Sequence, residues 1–411
     1  MPFADRAEAD RPIRLAILDD NPFVRLPDGD VRPRASLFHL FVEAVIRNGP
    51  FAPADYLVPV AELGPGEQPP GLDAIDESCL RVVATRPFRG IADYVAHAPV
   101  MAASNWPLVR RTVGKADLVW IKAPASNAPL VGLACRRARV PRFTWVAGSV
   151  RDVARSQART GLPGAAARVA GVVYDGTTRL LERTGPSIRL DEEIFTSVVT
   201  RADVDTTRSM PVDPVAPSDE RPLRIVWAGR MAAEKGLEDL LAAVTSLEAG
   251  GMAVRLSVIG DGPVRAVLER QAGASGLDGR VRWHGYIADR ASYLKALRDA
   301  DIFALPSRAE GVPKVLVEAM AAGLPLVAAR VGAVPALLGG GERGRLVEPH
   351  DAAALATAIA DLALDQAERV RLRDAGLDFA AAHTAEAQAD RLVRWMRRTF
   401  PNLPWPVEQP R

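Results

Sequence analysis

Short apolar runs alternate with helical patterns along the chain, which predicts a parallel sheet wrapped by helices. Residues 14–20 read as a first strand ending in polar Asp19 and Asp20, and residues 36–46 as a helix with Ser36 as its cap. Further strands are expected at 80–84, 118–122, 142–146 and 171–174. The stretch 202–221 is rich in Asp, Thr, Ser and Pro without periodicity, and reads as a linker. The pattern restarts with strands at 223–228, 254–259, 281–284, 302–305 and 326–329 and a helix at 237–248. A last helix is expected at 386–400, with a loosely ordered Pro-rich tail at 401–411. The expected division is therefore a first domain over 1–205, a linker over 206–221, a second domain over 222–384, and a terminal helix and tail over 385–411 that packs back on the first domain. Each strand ends at Gly, Asp or Ser before a helix, so the carboxyl ends form a polar rim, where open parallel sheets bind ligands.

Composition narrows the classes. The 411 residues are 48% hydrophobic and 25% charged, the profile of a soluble globular chain of two or three domains. A net charge of +2 makes nucleic acid a poor candidate partner. Cys79 and Cys135 lack metal-ligand spacing, which fits a reducing cytosol with neither disulfide framework nor zinc. Residues 1–11 have no apolar core of an export signal, and no apolar run is long enough to span a bilayer. Of 52 cationic residues only Lys115, Lys122, Lys235, Lys295 and Lys314 are lysine. Where Arg is the default cation, a Lys can mark a place that needs a compact ammonium.

Two segments could carry chemistry. The first runs from Gly229 and Arg230 to Glu234, Lys235 and Gly236, between a strand and a helix. Two cations beside a helix N-terminus outline a diphosphate site, and the same residues also fit a solvated loop with locally paired charges. The second follows the strand at 302–305: Ser307, Glu310, Gly311, Val312, Pro313, Lys314, Val315 and Glu318. Pro313 suits a first helical turn, which separates Glu310 and Glu318 by on the order of 10 Å with the helix N-terminus between them. That layout suits a ligand with hydroxyls at both ends and a diphosphate in the middle, and also an ordinary amphipathic helix with an exposed Glu.

Taken in order, Gly229-Arg230, Glu234-Lys235-Gly236, Gly260-Asp-Gly-Pro263, His284-Gly285-Tyr286, Ser307, Glu310 and Glu318 to Gly323 resemble the donor half of glycosyltransferase family 4 over about 223–383. The resemblance implies a GT-B fold, two Rossmann-like domains facing across a cleft, and a retaining, metal-independent transfer from a UDP- or GDP-sugar to an acceptor hydroxyl. The nucleotide sugar would be a co-substrate, and no cofactor is implied. On this reading Arg230, Lys235 and Glu310 are the catalytic set, with the two cations on the diphosphate and Glu310 on the sugar hydroxyls. Gly229, Gly260, Ser307, Gly311, Val312, Lys314 and Val315 would line the donor, Glu318 would bind the ribose, and Gly285 and Tyr286 would border the base. Lys314 stands where such enzymes usually carry a neutral residue.

The amino-terminal half resembles the family weakly. After the strand at 142–146 many relatives carry a His near the reacting sugar, and here the sequence reads Gly148, Ser149, Arg151. His39 and His97 are the only histidines in this half, and both read as packed or helical residues. Acceptor contacts are expected from Ser126, Asn127, Gly148, Ser149 and Arg151. The arginines between Arg136 and Arg168 form either a solvated face or a peripheral contact with anionic membrane at its inner, cytoplasmic side. A catalytically silent nucleotide-sugar-binding protein is the rival reading, and nucleotide-sugar epimerisation a third.

Overall fold

The computed structural model describes residues 11–34, 36–67, 74–88, 91–146, 164–190, 193–211, 218 and 220–406. The chain divides into two units, one of residues 1–190 and 388–411, the other of residues 191–387.

In unit 1 the elements run β1 (Leu15–Leu18), β2 (Phe23–Arg25), β3 (Val31–Pro33), α1 (Phe38–Asn48), β4 (Ala54–Glu62), β5 (Leu80–Thr85), α2 (Ile91–Val113), β6 (Leu118–Ala123), α3 (Ala128–Ala138), β7 (Arg142–Val146), α4 (Gly164–Arg183) and β8 (Ser187–Arg189). Six parallel strands lie in the order β5-β4-β1-β6-β7-β8, and the β2–β3 hairpin adds to the carboxyl end of β4. The sheet is covered on both faces, so its central strands β1 and β6 are apolar and buried at every position except Lys122 near the end of β6. Alternate residues of β6 serve opposite faces. Val119 and Ile121 pack with Val109, Val113, Val131 and Leu181 of α2, α3 and α4, while Trp120 meets Phe41, Phe143 and Trp145.

Unit 2 starts with α5 (Arg201–Arg208) and continues β9 (Leu223–Ala228), α6 (Leu237–Ala249), β10 (Val254–Ile259), α7 (Arg265–Ala274), β11 (Val281–Gly285), α8 (Arg290–Arg298), β12 (Ile302–Leu305), α9 (Lys314–Ala321), β13 (Leu326–Ala329), α10 (Val334–Leu337), β14 (Arg345–Val347), α11 (Ala352–Leu364) and α12 (Gln366–Ala382). All six strands are parallel, in the order β11-β10-β9-β12-β13-β14. One face buries Ile225, Trp227, Leu256 and Val258 under α6 and α11. The last helix, α13 (Ala385–Thr399), crosses the division at residue 387, and from Gln388 onward it belongs to unit 1, where Trp395 lies 5.3 Å from Phe143. No helix among the described residues is long and apolar enough to cross a membrane.

Several sequence expectations change. Residues 171–174 are not a strand but the middle of α4: four apolar residues cannot set a period, and the surrounding Ala-rich stretch decides for helix. Ser36 does not cap α1. Leu37 holds that position, and the Ser36 hydroxyl accepts hydrogen bonds from Asn21 and the Phe38 N–H. Residues 202–208, expected to lie at the end of the first domain and the start of a linker, form α5, whose start is fixed by a reciprocal Thr200–Asp203 capping box. In the tail, Trp405 is held by the Phe400 carbonyl and packs on Phe51. Of the two histidines, His39 is buried, and His97 sits on the surface of α2 beside Asp93.

Phe143 has Trp120 on one side and Trp395 and Phe400 on the other, at centroid distances of 5.3–6.3 Å. Phe143→Ala is expected to destabilise unit 1 by about 3–5 kcal/mol, read as a lower urea midpoint by tryptophan fluorescence; a change below about 1 kcal/mol would show that this junction does not hold α13.

Candidate functional site

Both sheets share one topology: the chain starts in the middle, winds to one side, then returns to wind the other way. Where the winding reverses, the loops leaving two adjacent strands turn apart and leave a crevice at the carboxyl ends. In unit 2 that point lies between β9 and β12, whose paired register covers only Ile225–Val226 against Ile302–Phe303. In unit 1 it lies between β1 and β6.

The unit 2 crevice is built by close backbone contact. After β9 the chain passes Gly229 and Arg230 into a single helical turn, Ala233–Lys235, and leaves it through Gly236 at φ 63°. A Cβ on Gly236 would stand 2.1 Å from the Pro306 carbonyl oxygen, so only glycine lets this loop press against the loop after β12. That contact brings Lys235 to Glu310. Lys235 Nζ lies 2.8 and 2.9 Å from the two carboxylate oxygens, and the Ser307 hydroxyl donates to Glu310 Oε1 at 2.6 Å. Glu310 is 7% exposed and Lys235 22%. Arg308 ties the same loops together through its N–H to the Glu234 carbonyl and its guanidinium to Glu238 and Asp239. Arg230 is more exposed and pairs with Glu234 at 2.7 Å.

Beyond Glu310, Gly311 is exposed, Val312 half-buried, and Pro313 is the N-cap of α9, so the helix itself begins at Lys314 with no side chain capping its first turn. Val315 and Glu318 are half-buried on this helix, and Lys314 is exposed. Glu318 accepts a 2.6 Å hydrogen bond from Tyr293 of α8, which the sequence reading missed. Burial first, and Glu318 second, raise the Tyr293 pKa well above the ordinary phenol value, so it remains a neutral donor. The three strand-end glycines meet: a Cβ on Gly260 would lie 1.9 Å from the Gly229 carbonyl, and the Gly260 N–H bonds the Gly285 carbonyl. Tyr286, next in line, is 59% exposed. The structure thus gathers Gly229, Lys235, Ser307 and Glu310 at one crevice, with α9 starting beside it.

Unit 1 carries a second polar cluster, missed in sequence apart from Ser126. Asp19, at the end of β1, takes hydrogen bonds from Lys122 Nζ (2.7 Å), the Tyr56 hydroxyl (2.6 Å) and Asn21 Nδ2 (2.8 Å). Burial raises its pKa, and Lys122, Tyr56 and the Asn21 N–H together outweigh burial and hold it below the ordinary value. Asp20 beside it accepts the N–H and hydroxyl of Ser126. Here burial prevails and pushes the pKa up to about 6. Asn127, next to Ser126 and as buried, accepts a hydrogen bond from Asn105 through its Oδ1. Gly148, Ser149 and Arg151 lie outside the described residues. Asp19 and Asp20 were visible only as polar residues ending a strand; the signal that singles them out is the sheet order, which pairs β1 with β6 and so brings Lys122 and Ser126 to them.

The family model described as "Glycosyl transferases group 1" matches residues 222–365. The chain is 30% identical over 296 residues, covering 66% of this chain and 74% of the relative, to a GDP-mannose-dependent alpha-(1-6)-phosphatidylinositol monomannoside mannosyltransferase of Mycolicibacterium smegmatis. It is 33% identical over 177 residues to the alpha-D-kanosaminyltransferase of Streptomyces kanamyceticus, covering 43% and 45% of the two chains. The chain spans less than half the length of the first curated relatives it matches. Among solved structures, sucrose-phosphate synthase from Thermosynechococcus elongatus superposes with a TM-score of 0.65 over 95% of this chain and all of that one, at 18% identity. Anabaena HepE, solved in complex with UDP and glucose, superposes at 0.58 over 94% of this chain and all of that one, at 16% identity. The fold is of the expected GT-B class, with two parallel-sheet α/β units.

The raised Asp20 pKa has a consequence for stability. With about 6 in the folded chain against an ordinary 3.8, the native state holds the proton longer than the unfolded state, so stability is full below pH 3.8 and falls as pH rises toward 6. Asp20→Asn lacks this loss. Its stability relative to the parent is expected to rise by on the order of 2–3 kcal/mol between about pH 4 and pH 7 in urea titrations; a pH-independent difference would refute the burial of Asp20.

Proposed function

The chain belongs to the group 1 glycosyltransferases, and on that premise we propose that it transfers a sugar from a nucleoside-diphosphate sugar to an acceptor hydroxyl with retention of configuration. The observation that carries the reading is the Lys235–Glu310–Ser307 contact at the switch point of the sheet that the family model matches.

Lys235 and Arg230 are the cations for the donor diphosphate, and N–H groups in the first turn of α9 add to them. As the glycosidic bond breaks, negative charge accumulates on the departing phosphate, and fixed cations lower the barrier because that charge is greater in the transition state than in the bound donor. Glu310 offers carboxylate lone pairs to hydroxyls of the transferred sugar. Glu318, oriented by Tyr293, is the ribose partner, and exposed Tyr286 borders the base. The donor base is uracil or guanine: HepE was solved with UDP, and the mycobacterial relative is named as GDP-mannose-dependent. A donor phosphate oxygen accepts the acceptor's proton, so positioning carries much of the rate.

On the acceptor side, Asp20 is the group to bet on. Its two oxygens each take one hydrogen bond from Ser126, which leaves lone pairs for an acceptor hydroxyl. The mannosyltransferase relative is named for a glycolipid acceptor, and exposed Leu133 with exposed Arg136, Arg137 and Arg139 in and just after α3 suits peripheral contact with anionic lipid. The chain is expected to sediment with vesicles containing phosphatidylglycerol and to stay in the supernatant with phosphatidylcholine alone; equal partitioning would remove this contact.

The central assignment is tested by transfer and donor hydrolysis across UDP- and GDP-sugars. Lys235→Ala and Glu310→Gln are each expected to lower kcat/KM by about 10²–10³-fold, while Lys295→Ala, on the surface of α8, leaves it unchanged. Unimpaired turnover in the first two variants would overturn the site. Nucleotide binding without turnover on any acceptor would favour a silent binding protein.

A further inference from the structure

At the opposite edge of the unit 2 sheet, where β9, β12 and β13 begin, lies a cavity of about 160 Å³. Leu223, Asp301 and Pro325 at the strand starts and Gly323 beyond α9 form part of its wall. Among the described residues, five arginines line it against one acidic residue, Asp301. Asp301 is engaged by Arg221 at 3.2 Å and Arg224 at 2.6 Å.

The other three arginines differ. Arg298 donates to the Thr207 hydroxyl (3.0 Å) and the Asp203 carbonyl (3.1 Å). Arg369 donates to the carbonyls of Leu362 and Ala363 at the end of α11. Arg373 donates to the carbonyls of Thr207 (3.0 Å) and Met210 (3.3 Å), and among the described residues its carboxylate contact is Asp374, which is 61% exposed. Carbonyls and hydroxyls hold a guanidinium in place without neutralising its charge. Each guanidinium has five N–H donors, so several remain after these bonds are made.

We infer that this cavity is a binding site for a small phosphoryl oxyanion, a phosphate monoester or pyrophosphate, gripped by Arg298, Arg369 and Arg373. Planar guanidinium forks match phosphate oxygens two at a time, and their fixed orientation lowers the ordering cost of binding. The volume is below the roughly 300–1,000 Å³ of sites for drug-sized ligands, which selects a diphosphate or short ester over a nucleotide. The site is separate from the donor crevice, because six residues of β9 place about 20 Å between the two edges of the sheet. Its upper wall is nevertheless shared: Ala322 and Gly323 lie just past the end of α9, the helix whose start borders the donor crevice.

Calorimetry on the full chain carrying Arg230→Gln and Lys235→Gln, which disables the donor cations, isolates this site. Inorganic pyrophosphate and glucose 6-phosphate are titrated separately, the tighter identifying the source of the phosphoryl group. At least one is expected to bind near one equivalent, and adding Arg298→Gln and Arg369→Gln should weaken it about tenfold or more. Binding of neither probe, or binding indifferent to the added substitutions, overturns the inference. Because those arginines also hold helix ends, the parent chain gives an independent measurement: pyrophosphate should slow phenylglyoxal modification of Arg298 and Arg369, read by peptide mass, while leaving exposed Arg330 unaffected. Equal rates with and without pyrophosphate overturn it as well.

Discussion

A parallel sheet that starts in its middle and winds outward in both directions must leave a gap, because the two loops at the reversal depart to opposite faces. The polar clusters around Glu310 and around Asp19 and Asp20 each occupy such a gap. Between β9 and β12 the paired register ends after two residues, and the loops beyond it are joined by side chains and glycine-enabled backbone contacts. The strands supply rigidity from a continuous apolar core, so the polar groups at their ends stay fixed without having to fold the protein. The same topology in unit 1 sets Asp19 and Asp20 beside Lys122 and Ser126, although the two halves share no motif at these positions.

The scarce lysines gain a physical meaning from this. Of the five, Lys122 and Lys235 each meet a largely buried carboxylate, Asp19 and Glu310, at the switch point of their own unit. Lys295 and Lys314 lie on exposed surfaces. Burying an ion pair contributes little net stability, since desolvation offsets the attraction, so these pairs are poor candidates for holding the fold together. A compact ammonium with rotatable donors can reach both oxygens of one carboxylate, as Lys235 does, and can be shared with a ligand without a change of side-chain plane. The sequence pointed to Lys235 and Lys314 because they neighbour the donor motif. It could not point to Lys122, which needs the pairing of β1 with β6 before it faces Asp19.

Legibility follows the same division between local and non-local causes. Strands such as 223–228 and 302–305 could be read because a central parallel strand is a nearly continuous apolar run, broken in the first only by Arg224, and flanked by polar ends. The β2–β3 hairpin was hidden in a Pro- and Gly-rich loop, because its pairing with β4 is a tertiary fact. The start of α5 was legible in principle, as Thr200 and Asp203 have capping-box spacing, and was obscured by the Pro-rich stretch that follows. Tyr293 carried no signal: a tyrosine on a helix acquires its role only when α8 packs it against Glu318. Lys235, Ser307 and Glu310 were legible as members of an ordered set of motif positions, and the structure brings these three into contact.

The Lys235–Glu310 contact also constrains how a donor would enter. In the free chain Lys235 neutralises Glu310, which is nearly fully buried and would be costly to leave charged and alone. On the proposed reading, an arriving diphosphate would compete for the ammonium, and Glu310 would then need new hydrogen-bond donors beside Ser307. Hydroxyls of a neutral sugar supply them; an acidic sugar at the same place would set two anions against each other. One exchange of partners therefore links the phosphate end of the ligand to its sugar end, so that a nucleoside diphosphate lacking the sugar draws Lys235 away from Glu310 without repaying that carboxylate. By this account, selectivity for the intact donor resides in a single shared cation and needs no movement of the sheet beneath it.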